Sequence, residues 1–171
     1  TRTPFSIDFG VGDVIVPKQE KRKIPTQLDD FTAPVVSTYS LETTIAEKID
    51  AILSLMEFSS RMKDYYDIYY LANKFDFDGK VLTEALKKTF ENREHTFTIE
   101  QFEQVMSFAD DSAMQKKWKA FCRKIDTQTD DFSTVLRTIK VFLTKPFMAV
   151  LSKTEFSQQW IAAESQWKKG V

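Results

Sequence analysis

Residues that break helices are scarce in this chain, and that scarcity limits its fold more than any other feature. The 171 residues include four glycines and five prolines, against typical usage of about 7% and 5%. From Ser40 onward, apolar side chains recur with the period of an α-helix. The pattern predicts seven helices, at residues 41–58, 60 or 61 to about 74, 80–93, 99–108, 112–125, 132–144 and 155–168. Plausible N-caps are Ser40, Thr98 and Ser133 or Asp131, and Pro146 should end or kink the sixth helix.

The first 39 residues predict short strands instead of helices. Apolar and polar side chains alternate with period two in the run Phe5, Ser6, Ile7, Asp8 and Phe9. Residues 14–16 and 35–39 are two more extended runs, and a charged connector at 18–23 lies between them. Two or three strands cannot enclose a core alone. We therefore expect a mainly α, α+β chain: a strand-rich remnant of a larger domain at 1–39, then a bundle of about seven helices at 40–171.

Charge and composition exclude several classes of protein. Lys and Arg number 24 against 25 Asp and Glu, for a net charge of −1. This balance argues against a dedicated nucleic-acid arm or a membrane-surface protein, although it leaves room for a local basic patch. No apolar stretch approaches the roughly 20 residues that a membrane helix needs. The single cysteine, Cys122, cannot form an internal disulfide. With no initiator Met and no signal-peptide pattern, we expect a fragment of a longer cytoplasmic protein without a membrane partner.

Charged residues interrupt the apolar faces of the first two predicted helices. Lys48 falls between Ile52 and Leu55 on a helical wheel, and Asp64 falls between apolar residues of the next helix, with Asp67 at the edge of that face. A buried charge needs a partner or a ligand. One interpretation is a structural Lys48–Asp64 salt bridge. The other is a shared site, favoured slightly by a height offset of about 9 Å between the two residues if the helices are antiparallel and turn near residue 59.

The same residues carry a recognisable motif pair. Lys48 and Ala51 form Lys-[Leu/Ile]-x-Ala, and the next helix has Arg-x-Lys-Asp-x-x-Asp at Arg61, Lys63, Asp64 and Asp67. This pair, within residues 40–72, closely resembles the AbiEii/AbiGii toxin family of nucleotidyltransferases. The resemblance implies a polymerase-beta-like fold with a helical C-terminal half, here following the strand remnant of the catalytic domain. It also implies transfer of a nucleoside monophosphate from an NTP to an RNA hydroxyl, with tRNA as the expected acceptor, and an antitoxin protein as a possible partner.

The resemblance also suggests a role for each motif residue. Lys48 is the candidate for the triphosphate contact, which Arg61 and Lys63 could assist by binding nucleotide. Asp64 and Asp67 could orient Lys48 or Arg61, or act near the metal and the attacking hydroxyl; these alternatives stay open. The family uses Mg²⁺ held by carboxylates, and Asp8 could supply one of them or simply be an outward-facing strand residue.

Two family motifs are missing, which limits what this chain is expected to do. The sequence has no Gly-Ser dipeptide, and its one Asp-x-Asp, at 76–78, has the pattern of a turn and helix cap. We therefore expect the 171-residue chain to be inactive alone. The alternative function is a non-catalytic helical binding module in which the motif is a structural charge network. An antitoxin-like partner is a third possibility, against which the motif argues.

The remaining polar and aromatic residues favour structural roles. His95 has no catalytic constellation around it in sequence and is expected at a helix end or in a loop. Cys122 and the pair Trp160 and Trp167 are expected in the core. The tyrosines at 65, 66, 69 and 70 could stack a base, but their helical spacing is more typical of packing.

Overall fold

The computed structural model describes residue 4 and residues 12–58, 61–125 and 129–169. Its described part is a mainly α, α+β fold, as the sequence predicts. Six α-helices run in order along it, with the bounds α1 Leu41–Leu55, α2 Met62–Lys74, α3 Gly79–Asn92, α4 Ile99–Ser107, α5 Ser112–Ile125 and α6 Phe132–Ser152. Single 3-10 turns lie at Met56–Phe58, Phe108–Asp110 and Ala162–Glu164. In these ranges no helix is both long and apolar enough to cross a bilayer.

The predicted helix starts are confirmed at their caps. Ser40 accepts from Thr43 N at the start of α1, and Asp131 accepts from Thr134 N at the start of α6. Thr98 and Gln101 form a reciprocal capping box on α4. Such caps satisfy backbone N–H groups that have no partner within the helix.

The core lies among α1, α2, α3 and α6. Ile45, Ile49 and Ile52 of α1 are fully buried, as are Ile68 of α2 and Ile139 of α6. These residues recur every three or four positions along their helices, so each helix buries one face. The packing places α1 beside both α2 and α3, and α2 beside α6. The motif-bearing helices are therefore neighbours held by a common core.

Pro146 does not end the sixth helix, which continues to Ser152. A proline has no N–H to donate to the carbonyl four residues earlier, which here belongs to Phe142. Trp167 Nε1 donates to this Phe142 oxygen at 2.8 Å. The indole thus replaces the donor that Pro146 lacks, and the long helix is retained.

The predicted helix at 155–168 is wrong, because this segment forms a hairpin. Strand β4 (Gln158–Ile161) pairs antiparallel with β5 (Gln166–Lys169), and also with the short β3 (Phe77–Asp78). Trp160 lies opposite Trp167 in the register. Two aromatic residues seven positions apart fit two helical turns, but they also fit facing positions of a tight hairpin. Both tryptophans are buried, as predicted, and Trp160 Nε1 donates to Ala72 O.

The N-terminal strands match the prediction in part. The run at 35–39 is confirmed as β2 (Val35–Thr38), which pairs with β1 (Glu20–Lys23) inside the predicted charged connector. Because β1 is exposed on both faces, it lacks the apolar alternation that marks a half-buried strand. Residues 14–16 are not a strand; Val16 instead anchors the segment to α1, its N–H donating to Thr43 Oγ1 at 2.8 Å. The predicted strand at 5–9 lies outside the described residues.

Candidate functional site

The Lys48 ammonium lies between two carboxylates of the neighbouring helix. Its Nζ is 3.1 Å from Asp64 Oδ1 and 2.6 Å from Asp67 Oδ2. The offset that disfavoured a direct contact was overestimated. Because α1 ends at Leu55 and α2 begins at Met62, the offset falls to about 7 Å along the helices, which a lysine stem and the tilt of a carboxylate can span. The three residues that interrupt the apolar faces therefore form one ion-pair network.

The side chains of this ion-pair network are largely shielded from solvent. The Asp64 side chain is 5% exposed and the Lys48 side chain 17%. Burial alone lowers the pKa of Lys48, but the hydrogen bonds and charges of Asp67 and Asp64 more than offset it, so the net effect is a raised pKa. Lys48 is therefore a fixed cation at neutral pH, with its position set by α2.

The two other motif cations flank the carboxylates from the solvent side. Arg61 Nε lies 2.8 Å from Asp64 Oδ2, although the two groups are not aligned for a hydrogen bond. Lys63 Nζ lies 2.5 Å from Asp67 Oδ2. The Lys63 side chain is 71% exposed, as predicted for the polar side of α2. The structure thus brings together Lys48, Arg61, Lys63, Asp64 and Asp67. Asp8 lies outside the described residues.

A second charge network, which the sequence did not predict, continues from α1 towards the end of α3. Asp50 is fully buried although it lies on the polar side of the wheel; His95 Nδ1 is 2.8 Å from its Oδ1 and Arg93 Nη1 is 3.4 Å from its Oδ2. Arg93 also pairs with Glu47. Burial raises the pKa of Glu47, and the Arg93 charge opposes that shift. His95 is in a loop, as expected, but it is a partner of Asp50. No local pattern signals these contacts, because about 45 residues separate the partners.

A cleft of about 200 Å³, which we call the α1–α2 cleft, opens where the two networks meet. Among its walls are three cations, Lys48, Arg61 and Arg93, against two carboxylates, Glu47 and Asp64. Ligand pockets typically enclose about 300–1,000 Å³. This smaller, net positive cleft fits part of an anionic ligand, such as a phosphate group, rather than a whole nucleotide.

The carboxylates of the site do not fit a metal. Across 12–58, 61–125 and 129–169, the structure has no group of three or more His, Cys, Asp or Glu side chains able to hold one. Asp64 and Asp67 are already matched by the cations around them. A divalent ion would have to displace Lys48, which is buried against both.

Comparison with known proteins agrees with the motif. A model of the family described as "Nucleotidyl transferase AbiEii toxin, Type IV TA system" matches residues 1–145. The chain belongs to the AbiEii family. No curated protein and no solved structure matches it. The AbiEii match covers α1 to α5 and most of α6, and therefore both charge networks, whereas the β4–β5 hairpin lies beyond it.

Other predicted features of this AbiEii chain take structural positions. The Asp-x-Asp at 76–78 is a helix cap, as predicted, but not a turn: Phe77 and Asp78 form β3, Asp78 caps α3 and Asp76 accepts from Ala162 N. Cys122 is half-buried, and burial raises its pKa. Among the tyrosines, Tyr65 is in the core while Tyr70 is exposed.

Proposed function

We propose that this AbiEii protein transfers a nucleoside monophosphate from an NTP to an RNA hydroxyl, with tRNA as the acceptor. In this reaction the hydroxyl oxygen bonds to the α-phosphorus, the bond to the β-phosphate breaks, pyrophosphate leaves and the hydroxyl loses its proton. The family match supports nucleotidyl transfer by a toxin of a toxin–antitoxin system. The single observation that carries the site is the fixed Lys48 cation in the wall of an anion-sized cleft.

Lys48 would bind the triphosphate. An ammonium group has three N–H donors, and two carboxylate contacts leave one for a phosphate oxygen. Asp64 and Asp67 would then act as positioning residues, because their ion pairs hold Nζ in place before the substrate binds. Cations held ready in this way stabilise the charge that develops in phosphoryl transfer. Arg61 and Arg93 line the same cleft and would share the phosphate charge, with Lys63 assisting from the rim.

Magnesium remains part of the proposal only through the family resemblance. When bound, it would neutralise triphosphate charge beside the attacking hydroxyl. The described carboxylates do not offer it a site, so the chemistry assigned to them is the holding of Lys48. Asp8 is the proposed metal carboxylate, together with others outside the described residues. An antitoxin partner, which the toxin–antitoxin family supports, and a cytoplasmic location are likewise proposals.

The test is transfer of labelled nucleotide to total cellular RNA in magnesium buffer. It uses the product of the entire reading frame and each of the four NTPs in turn. We expect label on RNA of tRNA size, its loss in Lys48→Met, and its retention with at most a modest decrease in Lys63→Met. The second variant removes a lysine from the same network, but one that lies on the solvent side. Both variants are checked for folding by circular dichroism at the assay temperature.

A non-catalytic binding module is the second candidate, and the ion pairs themselves favour it. Lys48 is ion-paired with both Asp64 and Asp67 without any ligand. If wild-type protein labels no RNA with any NTP, while Lys48→Met is destabilised, the network is structural and the proposed transfer is wrong.

A further inference from the structure

Helix α5 carries the most one-sided charge of any helix described. Its sequence, SAMQKKWKAFCRKI, contains four lysines and one arginine and no acidic residue. This contrasts with the chain as a whole, whose net charge is −1. A basic helix without acidic residues of its own, in a charge-balanced protein, is a local anion-binding feature.

Three of the α5 cations share one exposed face. Lys116, Lys119 and Arg123 are spaced by three and four residues, which places them side by side on a helix, and all three are exposed. Among the described residues, none of the three is ion-paired with a carboxylate. Elsewhere on the surface, by contrast, Lys140 and Lys168 are paired with glutamates. The α5 face is therefore open to an external anion.

Aromatic rings of α2 pack against the side of α5 opposite this basic face. Tyr66 and Tyr70 of α2 stack on each other with their centroids 6.3 Å apart, and Tyr66 also contacts Phe121 of α5 at 5.9 Å. Tyr70 is 48% exposed. The ring contact joins α2 to α5, and we call Tyr66 and Tyr70 of α2 together with Lys116, Lys119 and Arg123 of α5 the α2–α5 surface.

Two adjoining clefts run along the α2–α5 surface. The first cleft has a volume of about 460 Å³ and is lined by Tyr66, Tyr69 and Tyr70. The second has a volume of about 510 Å³, and its lining includes Lys119 and Arg123. Thr129 and Asp130 line both clefts. The nearby carboxylates already have internal partners, since Asp130 accepts from Tyr69 OH and Asp131 caps α6. Thr129 and Asp130 therefore lie between a cleft lined by tyrosines and a cleft lined by the cations Lys119 and Arg123.

We propose that the α2–α5 surface binds a single-stranded segment of RNA. The tyrosines would stack bases, which every base permits, and the α5 cations would contact phosphates, as in proteins that bind single strands without sequence preference. This inference rests on the proposed function in taking the RNA to be the acceptor. The tyrosines of this surface lie on α2, the helix that also carries Asp64 and Asp67.

The binding test uses fluorescence anisotropy with a labelled, unstructured RNA of about a dozen nucleotides, titrated at several salt concentrations. The test variant replaces Lys116, Lys119 and Arg123 by alanine. The matched control replaces three exposed lysines of α3, Lys80, Lys87 and Lys88, and so removes the same charge. Each phosphate contact to a single strand contributes about 0.7 to the slope of log K against log salt. We expect the α5 variant to lower the slope by about 2 and the control to leave it unchanged.

A second pair of variants tests the stacking. Tyr70→Ala should weaken RNA binding about five-fold or more, whereas Tyr70→Phe, which keeps the ring, should bind within two-fold of wild type. Equal binding by the α5 variant and the α3 control, or equal binding by Tyr70→Ala and wild type, would overturn the proposal.

The RNA dependence of transfer separates this inference from the proposed function. If RNA binds at the α2–α5 surface but no NTP labels it, the proposed nucleotidyl transfer is wrong and the proposed RNA-binding surface is supported. If label is transferred and the α5 variant keeps the wild-type KM for RNA, the proposed RNA-binding surface is wrong and the proposed nucleotidyl transfer is supported.

Discussion

Replacing Lys48 by methionine should destabilise the protein strongly, because it removes the cation between two carboxylates. Methionine keeps most of the aliphatic stem, so the change mainly removes charge and hydrogen-bond donors. Asp64 would be left with its side chain 5% exposed and Oδ1 without its 3.1 Å partner. Removal of one partner from a buried pair costs about 3–5 kcal/mol.

The loss of unfolding free energy in Lys48→Met should fall at the lower end of that range. Arg61 Nε stays 2.8 Å from Asp64 Oδ2 and Lys63 stays beside Asp67, so neither carboxylate loses every cation. We expect a loss of about 3 kcal/mol for Lys48→Met. Lys63→Met should cost no more than about 1 kcal/mol, because exposed pairs contribute little.

Urea denaturation followed by circular dichroism measures both values. With a slope of about 2 kcal/mol/M, typical of urea, Lys48→Met should lower the midpoint by about 1.5 M and Lys63→Met by less than about 0.5 M. If the two variants unfold at the same urea concentration, Lys48 does not stabilise the buried carboxylate and the description of the network is wrong.

Three further predictions test other parts of the structure. Gly79→Ala should destabilise by about 1–2 kcal/mol despite the better helix propensity of alanine, because its Cβ would lie 2.6 Å from Gln158 O; a higher Tm than wild type would contradict the contact between α3 and β4. Asp50→Asn should cost about 2 kcal/mol by the same urea assay, because it removes a buried charge that Arg93 and His95 match; an unchanged midpoint would count against that network. The raised pKa of Lys48 means that its stabilisation is complete below the unfolded value of 10.5 and is lost as the pH rises through the folded value. The stability difference between wild type and Lys48→Met should therefore be constant near neutral pH and shrink above pH 10.5, and a difference that grows there would show the sign to be wrong.

The helices could be predicted because their signals are local. Apolar spacing and capping side chains lie within a few residues of the structure that they specify, and α1 to α5 fall close to their predicted ranges. The hairpin at β4–β5 could not be distinguished from a helix in this way. Its decisive partners lie far along the chain: Ala72 O and Phe142 O accept from Trp160 and Trp167, and Phe77 pairs with Trp160 in the sheet.

The candidate site could be predicted where a charged residue interrupts the apolar face of a helix. Lys48 and Asp64 interrupt apolar faces, which signals a buried charge without naming its partner. Asp50 gave no such signal, because it lies among polar residues on the wheel, yet it is buried in the folded protein, where Arg93 and His95 contact it. Long-range burial of this kind is decided by tertiary packing and is absent from helical periodicity.

The affinity of an unreactive NTP analogue tests the central claim, that Lys48 holds a triphosphate in the α1–α2 cleft, most directly. Calorimetric titration would compare wild type, Lys48→Met and Lys63→Met at a temperature where all three are folded. We predict at least ten-fold weaker binding for Lys48→Met, which corresponds to about 1.4 kcal/mol, and no more than a two-fold change for Lys63→Met. Wild-type affinity in a folded Lys48→Met protein would contradict the claim.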